Sequence, residues 1–183
     1  MLSSICQKCG SDQAERFRFD PGKTVALGSS AGGHLAAMLA TIADDDDLGF
    51  SLEMRIRDTR PQAAVLYCPA TILHPADNFD SLKPSIEKLF GATEAEDAPY
   101  SEASPYDRID NRTPTTLLIH GDKDDTIPLE HSVRFRNKLD ANGVRAELVV
   151  LPNVPHGFGY GVTTPAQLES LAAIESFLRG LSF

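Results

Sequence analysis

Residues 27–37 read LGSSAGGHLAA and place Ser30 in the spacing G-x-S-x-G. The apolar run TVALG at 24–28 leads into this stretch, and a run of small and apolar residues follows it. Such a sequence predicts a strand, a sharp turn built on small residues and then a helix, with the serine hydroxyl exposed at the turn. The motif alone arises by chance, so Ser30 as a plain helix N-cap is the alternative.

The remainder of the chain repeats this alternation of strand and helix. Apolar runs bounded by Pro, Gly or Asp predict strands, and apolar residues three and four apart predict helices. The predicted strands are 24–28, 63–68, 115–120 and 146–151, and the predicted long helices are 30–43, 129–142 and 165–179. None of the strands shows clean polar–apolar alternation, which is typical of strands covered on both faces. We therefore expect an α/β fold, a mostly parallel sheet with helices on both faces.

One long segment, residues 69–114, does not fit this pattern. It is poorly periodic, contains several prolines and predicts only one short helix, at 85–89. Loops of that length are uncommon unless they serve a function, so the segment is either a cap or pocket wall or a plain surface excursion. A frayed helix is expected at 11–17, and the whole chain, 1–183, is expected to form a single domain.

Composition excludes several classes of protein. With 42% hydrophobic and 23% charged residues over 183 positions, the chain can build a core and is neither disordered nor fibrous. Its 26 acidic against 17 basic residues give a formal charge of -9, which repels nucleic acid. No apolar run reaches the roughly 20 residues that span a bilayer, and the first residues lack the pattern of a secretion signal. We expect a cytoplasmic protein with no membrane or nucleic-acid partner.

The sequence predicts no metal site. Cys6 and Cys9 form a C-x-x-C, but a zinc ribbon needs a second such pair, so we interpret the motif as chance. Cys68 is expected to be a small buried apolar residue. The four aspartates at 44–47 lack the spaced ligands and the turn glycine of a calcium loop and predict a solvated turn. Neither a metal nor an organic cofactor is expected.

Two later loops carry groups that could activate a serine. The strand at 115–120 runs into GDKDD, so Asp122, Asp124 and Asp125 compete for the place of an orienting acid. His156 lies in the loop PNVPHGFG after the last strand, a better position for a base than a helix face. The carboxyl ends of parallel strands are where open α/β folds hold their active groups. The chain order serine, aspartate, histidine is that of the α/β-hydrolase arrangement.

The chain resembles α/β-hydrolase-fold serine esterases, close to the carbohydrate-esterase and acetyl-xylan-esterase-like group and related to feruloyl-esterase-like and hormone-sensitive-lipase-like enzymes. Three pieces carry the resemblance: FDPGKTVALGSSAGGHLAA at 19–37, SPYDRIDNRTPTTLLIHGDKDDTIP at 104–128 and PHGFG at 155–159. The three motifs together are specific for this family, whereas each motif alone is not. The resemblance covers nearly all of the chain from about residue 19 onward.

The resemblance also implies a role for each candidate residue. In the family element H-G-x-x-D-x-x-V-P the acid lies four residues after the histidine, which selects Asp124 and leaves the two neighbouring aspartates as weaker candidates. Ser30 is then the nucleophile and His156 the general base and acid. The backbone N–H of Ala31, which follows the nucleophile, is one expected oxyanion donor.

Two other histidines are given structural roles. His120 is expected to end its strand. His34, one helical turn after the serine, is expected to pack or hydrogen-bond beneath the turn rather than take part in chemistry.

By this resemblance the chain would cleave carboxylic esters through an acyl-enzyme, with small acyl groups, acetyl foremost, on a sugar or similar alcohol. A serine peptidase of the prolyl-oligopeptidase kind shares the fold and the order of the three residues. Such peptidases usually carry a bulky aromatic residue where this chain has Ala31. An inactive fragment or interaction module that keeps the three residues by descent is the remaining alternative.

One family feature has no counterpart in this sequence. Related enzymes take a second oxyanion donor from an H-G-G or H-G-G-G loop upstream of the nucleophile, and only about two dozen residues precede the first strand here. We therefore expect a partial, N-terminally incomplete α/β-hydrolase fold. The strand at 24–28 would then be an exposed edge with unpaired N–H and C=O groups, through which the chain could self-associate.

Overall fold

The computed structural model describes residues 14–42, 60–74, 81–90 and 97–181. Within them, four parallel strands form one sheet whose spatial order is the same as their order in the chain. The strands are β1 (Val25–Ser29), β2 (Ala63–Tyr67), β3 (Thr115–Gly121) and β4 (Ala146–Leu151). All four predicted strands are confirmed, to within one residue at their ends. Because the strands are parallel, the turns and loops that follow them meet at one edge of the sheet.

Helices connect and cover these strands. They are α1 (Ala14–Phe17), α2 (Ala31–Thr41), α3 (Lys83–Phe90), α4 (Asp97–Ala103), α5 (Glu130–Ala141) and α6 (Pro165–Arg179). The three long helices predicted from periodicity are confirmed as α2, α5 and α6. Helix α5 is followed by Gly143 in a left-handed backbone with φ of 74°. Helix α6 begins with a capping box between Thr164 and Gln167.

The two faces of the sheet carry separate apolar cores. On one face α2 and α5 pack against the strands, and the buried side chains there include Ala37, Leu66, Leu118, Phe135 and Leu139. On the other face α6 packs against the strands, and the buried side chains there include Val65, Leu117, Ile119, Leu151 and Phe177. Every residue of β2 is buried, which explains the missing alternation. The predicted fold class, a parallel sheet with helices on both faces, is confirmed.

The segment at 69–114 contains more regular structure than the sequence predicted. Its described parts hold two helices, α3 and α4, where one short helix was expected. Helix α3 tolerates Pro84 because the proline lies in its first turn. The segment packs onto the loop after β3 and forms a third core, which includes Leu73, Leu82, Ile86, Tyr100 and Ile127.

Several predictions fall wholly or partly outside the described residues. They include the C-x-x-C of Cys6 and Cys9, the acidic turn at 44–47, parts of the segment at 69–114 and the start of the helix at 11–17, of which α1 is described. None of the helices in the described ranges has the length and apolar character that crossing a membrane requires.

Strand β1 lies at one edge of the sheet. In the part of the chain that the structure describes, β2 is the strand that pairs with it. Leu27, in the middle of β1, is 48% exposed, whereas all of β2 is buried. The expected edge at 24–28 is therefore present among the described residues.

Candidate active site

Ser30 forms the turn between β1 and α2 and has a strained backbone. Its φ of 56° and ψ of -121° lie outside the regions that L-residues favour. Its N–H donates to the carbonyl oxygen of Tyr67 at 2.9 Å, so the turn is bonded to β2. Its hydroxyl makes no capping hydrogen bond to α2. The interpretation of Ser30 as a plain N-cap is therefore wrong.

Two glycines make this turn possible by allowing close backbone contacts. A Cβ on Gly28 would collide with the carbonyl oxygen of Gly32, and a Cβ on Gly33 would lie 2.9 Å from the carbonyl oxygen of Tyr67. By contrast, a Cβ on Gly32 would meet none of the described atoms within 4 Å. The space that the turn needs therefore comes from Gly28 and Gly33, of which only Gly28 belongs to the G-x-S-x-G spacing.

Asp124 lies in the loop after β3 and has a buried carboxylate, with a side chain 1% exposed. The backbone N–H groups of Thr126 and Ile127 donate to its Oδ1 at 3.0 and 2.8 Å. Hydrogen bonds from backbone N–H groups to a carboxylate are short and strong, and they fix its orientation. The second oxygen, Oδ2, is left to face the histidine loop.

His156 joins the serine and the aspartate in one hydrogen-bonded chain. Its Nδ1 lies 2.7 Å from Asp124 Oδ2, and its Nε2 lies 2.9 Å from Ser30 Oγ. Because an ionised carboxylate only accepts, Nδ1 carries the proton of the neutral ring and Nε2 accepts from the serine hydroxyl. The side chain of His156 is 18% exposed, so the site is open to solvent. The structure thus brings together all three residues that the sequence analysis selected.

The other two aspartates of the loop make different contacts. Asp122 Oδ1 accepts the backbone N–H of Asn153 at 2.6 Å and so connects the acid loop to the histidine loop. Asn153 has a left-handed backbone with φ of 58°, a conformation that this bond helps to hold. Asp125 is exposed and accepts a 3.4 Å hydrogen bond from the hydroxyl of Thr126. Of the three carboxylates, Asp124 is the one bonded to the ring of His156.

Gly121 lets the acid loop and the histidine loop approach each other. A Cβ on this residue would collide with the carbonyl oxygen of Val154, which also accepts the N–H of Lys123 at 3.1 Å. The two loops therefore form one packed unit at the carboxyl ends of β3 and β4.

His120 contacts the acid from within the core. Its Nε2 donates to the carbonyl oxygen of Ile127 at 2.8 Å and lies 3.3 Å from Asp124 Oδ2. Its Nδ1 then accepts the hydroxyl of Ser132 at 2.7 Å. Burial lowers the pKa of His120, which keeps the ring neutral. This residue therefore does more than end a strand, since its Nε2 also lies beside the carboxylate.

His34 supports the serine turn, as the sequence analysis expected. Its Nδ1 donates to the carbonyl oxygen of Ala70 at 2.8 Å, which bonds α2 to the residues after β2. Burial lowers the pKa of His34 and keeps its ring neutral.

Sequence analysis did not connect Cys68 with this site. The residue is fully buried, as expected, but its sulfur lies beside Asp124 and His156. Its position directly after β2 is a signal that could have found it, because the same edge of the sheet carries the loops after β3 and β4.

An apolar cavity of about 260 Å³ opens beside Ser30. Side chains of α3 form part of its lining, which includes Ala31, Leu73, Leu82, Ile86 and Leu89. Ala31 is the first residue of α2, so its backbone N–H has no partner within the helix. Such N–H groups at a helix start favour a negative charge placed next to them.

The proteins similar to this chain include several esterases. The BD-FAE family matches residues 11–139, more than half of the chain. Esterase LipQ of Mycobacterium tuberculosis is 31% identical over 163 residues, which cover 87% of this chain and 38% of LipQ.

The solved structures with a similar fold include a hydrolase and an esterase. The acetyl ester-xyloside bifunctional hydrolase from Caldicellulosiruptor lactoaceticus gives a TM-score of 0.82 at 25% identity, over 97% of this chain and 63% of that one. Butyrate-bound esterase 2 of Thermogutta terrifontis gives 0.78 at 29% identity, over 97% and 63% of the two chains. The same esterase has also been solved phosphonylated by sarin.

This chain spans less than two thirds of the length of each of these relatives. Within that span, the family match includes the serine turn, β2, β3 and the acid loop. The fold, a parallel sheet covered by helices with Ser30 at the turn after β1, is the fold of its solved relatives. The chain therefore belongs to the BD-FAE family of α/β-hydrolase esterases.

Proposed function

We propose that this chain hydrolyses carboxylic esters, with Ser30 as the nucleophile, His156 as the general base and acid, and Asp124 as the group that orients the imidazole. The observation that carries this proposal is the continuous hydrogen-bonded chain from Ser30 Oγ through the ring to the carboxylate. A serine hydroxyl is a weak nucleophile and needs a base within hydrogen-bond reach. Membership of an esterase family supports the same chemistry.

In the first half of the reaction, Ser30 Oγ attacks the carbonyl carbon of the ester. The hydroxyl proton moves to Nε2 of His156, and the carboxylate of Asp124 stabilises the resulting imidazolium through Nδ1. The carbonyl oxygen becomes an oxyanion, for which the backbone N–H of Ala31 is the proposed donor. His156 then gives its proton to the leaving alcohol as the C–O bond breaks, and the acyl group stays on Ser30.

The second half of the reaction repeats these steps with water. His156 takes a proton from the water as the water oxygen attacks the acyl carbon. The bond to Ser30 Oγ then breaks, and His156 returns a proton to the serine. One water is consumed, and one carboxylic acid and one alcohol are released.

The cavity beside Ser30 is the proposed site of the acyl group. Its apolar lining, including Leu82, Ile86 and Leu89, would bury a hydrocarbon chain. These residues belong to the segment at 69–114, for which we accordingly propose the role of pocket wall. A cavity of about 260 Å³ favours short acyl chains. Butyrate, which is bound in a structure of the Thermogutta terrifontis esterase, has a short acyl chain of this kind.

Covalent labelling tests this proposal without requiring knowledge of the substrate. The purified chain is treated with a fluorophosphonate, and its intact mass is compared with that of Ser30→Ala. We expect one adduct per chain that is absent in the variant, because only an activated serine reacts rapidly. The phosphonylated form of the Thermogutta terrifontis esterase supports the choice of reagent. A folded chain without an adduct would contradict the proposal and favour the inactive module.

A substrate series defines the ester that is cleaved. We propose acetyl esters of a sugar or similar alcohol as the first class to test, followed by butyryl and longer acyl esters of the same alcohol. The value of kcat/KM is expected to fall once the acyl chain exceeds the cavity. An aminoacyl anilide is the control for the peptidase alternative, and faster cleavage of the anilide than of every ester would favour that alternative.

We also propose that β1 supports self-association. Two observations support this proposal: Leu27 is 48% exposed, and on its outer side β1 pairs with none of the strands in the described residues. Light scattering of the purified chain is expected to show a dimer that Leu27→Lys converts to a monomer. A folded wild-type chain that is monomeric at every concentration would contradict it.

A further inference from the structure

Cys68 occupies an unusual place at the end of β2. Its backbone is left-handed, with φ of 35°, and its side chain is fully buried. The sulfur lies 3.9 Å from Ser29 Oγ, and the backbone of Gly157 and of Ser30 lies close to it. Burial raises the pKa of the thiol more than these neighbouring groups lower it, so the thiol is protonated at neutral pH. The proposed reaction assigns no task to this group.

Three potential metal ligands meet at this point. The sulfur of Cys68, one ring nitrogen of His156 and one carboxylate oxygen of Asp124 all lie within 4.8 Å of one another. Thiolate, imidazole and carboxylate are the three ligand types that Zn²⁺ binds in proteins. We propose that this cluster binds one thiophilic divalent cation, Zn²⁺ or Cd²⁺, and that the bound ion inhibits ester hydrolysis. The inhibition rests on the proposed function, whereas the binding does not.

The geometry needs only a small contraction to hold such an ion. Bonds of about 2.0–2.3 Å in a tetrahedral site set ligand atoms roughly 3.5 Å apart. The ring of His156 already lies 2.7 Å from Asp124 Oδ2, so the sulfur is the ligand that must come closer. Gly157 and Gly159, both with positive φ, follow His156 within its loop and permit a small shift of the ring. The exposed side of His156 gives the ion an entry path and a water as fourth ligand.

Binding changes the protons of the site. The cation forms a bond to sulfur, and the thiol proton leaves to solvent, because a coordinating thiol is deprotonated. Because Asp124 Oδ2 lies next to Nδ1, the ion takes Nδ1, and the ring proton moves from Nδ1 to Nε2. Nε2 then has no lone pair to accept the proton of Ser30. His156 can therefore no longer act as the base, and Ser30 loses its activation.

The ligand set also predicts selectivity among metals. Mg²⁺ and Ca²⁺ prefer oxygen ligands and gain little from a thiolate or an imidazole. They are therefore expected neither to bind the cluster nor to inhibit, which makes Mg²⁺ the matched control cation.

Cadmium titration tests the site directly. The full chain is used with Cys6→Ser and Cys9→Ser, so that Cys68 is the one remaining thiol. We expect an ultraviolet cadmium–thiolate charge-transfer band that saturates at one equivalent, is unaffected by excess Mg²⁺ and is abolished by Cys68→Ser. His156→Ala, with the thiol intact, is expected to weaken Cd²⁺ binding by about tenfold or more. Circular dichroism checks that each variant folds, and Cys68→Ala replaces the serine variant if that one does not.

An absent cadmium–thiolate band, or a band that persists in Cys68→Ser, would contradict the proposed metal site. Cadmium binding that is unchanged in His156→Ala would show that the thiol alone binds the ion, which would contradict the three-residue cluster.

Fluorophosphonate labelling of the same protein, first with Zn²⁺ and then with a chelator, tests inhibition. Labelling should stop when Zn²⁺ is added and return when the chelator removes it. If the metal-free chain does not react with the fluorophosphonate, the proposed ester hydrolysis is contradicted. The cadmium–thiolate band still tests the metal site in that case. Labelling that continues at saturating Zn²⁺ would overturn the inhibitory role.

Discussion

The serine turn and the loops that carry its two partners are held by different means. At Ser30, backbone packing sets the geometry: the strained turn exists because Gly28 can approach the carbonyl oxygen of Gly32. In the loops after β3 and β4, hydrogen bonds set the geometry. Asp124 Oδ1 accepts two backbone N–H groups, and Asp122 accepts that of Asn153.

This difference indicates which kind of substitution each region does not tolerate. A packed turn fails when an atom is added, because backbone atoms already fill the space. A hydrogen-bonded loop fails when an acceptor is removed, because a backbone N–H is left without its partner. Four experiments test this difference.

The largest effect is expected for Asp124→Asn. The amide can hold the ring of His156 in the wrong tautomer, so kcat should fall on the order of 10⁴-fold. Steady-state kinetics on the best ester, or the rate of fluorophosphonate labelling, measures this effect. Asp125→Asn is the matched control and should keep most of the activity, since Asp125 is exposed and is not bonded to His156. A near-wild-type rate in Asp124→Asn would move the orienting role to one of the neighbouring aspartates.

Gly28→Ala is expected to disrupt the serine turn. The added methyl group would collide with a backbone oxygen, which should lower the free energy of unfolding by about 3 kcal/mol or more. In contrast, Gly32→Ala adds a methyl group in open space within α2 and should stabilise the chain by up to about 1 kcal/mol. Urea unfolding of both variants provides the measurement. Equal stabilities would show that packing does not set the turn.

Asp122→Ala should weaken the bond between the acid and histidine loops. It leaves the N–H of Asn153 without its acceptor, at an expected cost of about 1–2 kcal/mol in unfolding free energy. Asp122→Asn keeps an oxygen at the same position and should lose less. Urea unfolding ranks the three proteins, and no difference between the alanine and asparagine variants would mean that this bond contributes nothing.

The smallest effect concerns pH. Burial lowers the pKa of His34 and of His120 below the ordinary value of 6.5. Below that pH the unfolded chain binds more protons than the folded chain, so stability falls as the pH drops through and below 6.5. Each unit of pKa shift contributes about 1.4 kcal/mol.

His34→Asn separates this contribution from the rest. The asparagine amide can still donate to the carbonyl oxygen of Ala70 but does not titrate. The loss of stability between about pH 7 and about pH 5 should therefore be smaller in the variant. An unchanged pH dependence in urea unfolding would assign the acid sensitivity to other groups.

Much of the fold could be predicted because its signals are local. The apolar runs of β2 and β3 and the periodicity of α5 and α6 are visible within short windows of sequence. The helix α4 could not be predicted. It is seven residues long, contains a proline and packs through Tyr100 onto Ile86 and Phe90 of α3, which is a contact between distant positions.

The site, like the fold, could be predicted from the sequence only in part. Ser30, an acid and His156 could be expected at one edge of the sheet because each follows a strand. The choice among three aspartates within four positions came from the family resemblance. What distinguishes Asp124 in the structure is its hydrogen bond to the ring of His156, 32 positions away, and no local pattern encodes that contact.

The hydrogen bond between Ser30 and His156 joins residues that are 126 positions apart. Contacts of such long range form late, because the loop between them must close first and parallel sheets pair slowly. The turn at Ser30 can form beside β1, but its hydroxyl meets a base only after β2 and β3 have assembled between β1 and β4. During refolding, helical signal should therefore return before fluorophosphonate reactivity, and reactivity at Ser30 reports the final stage of folding.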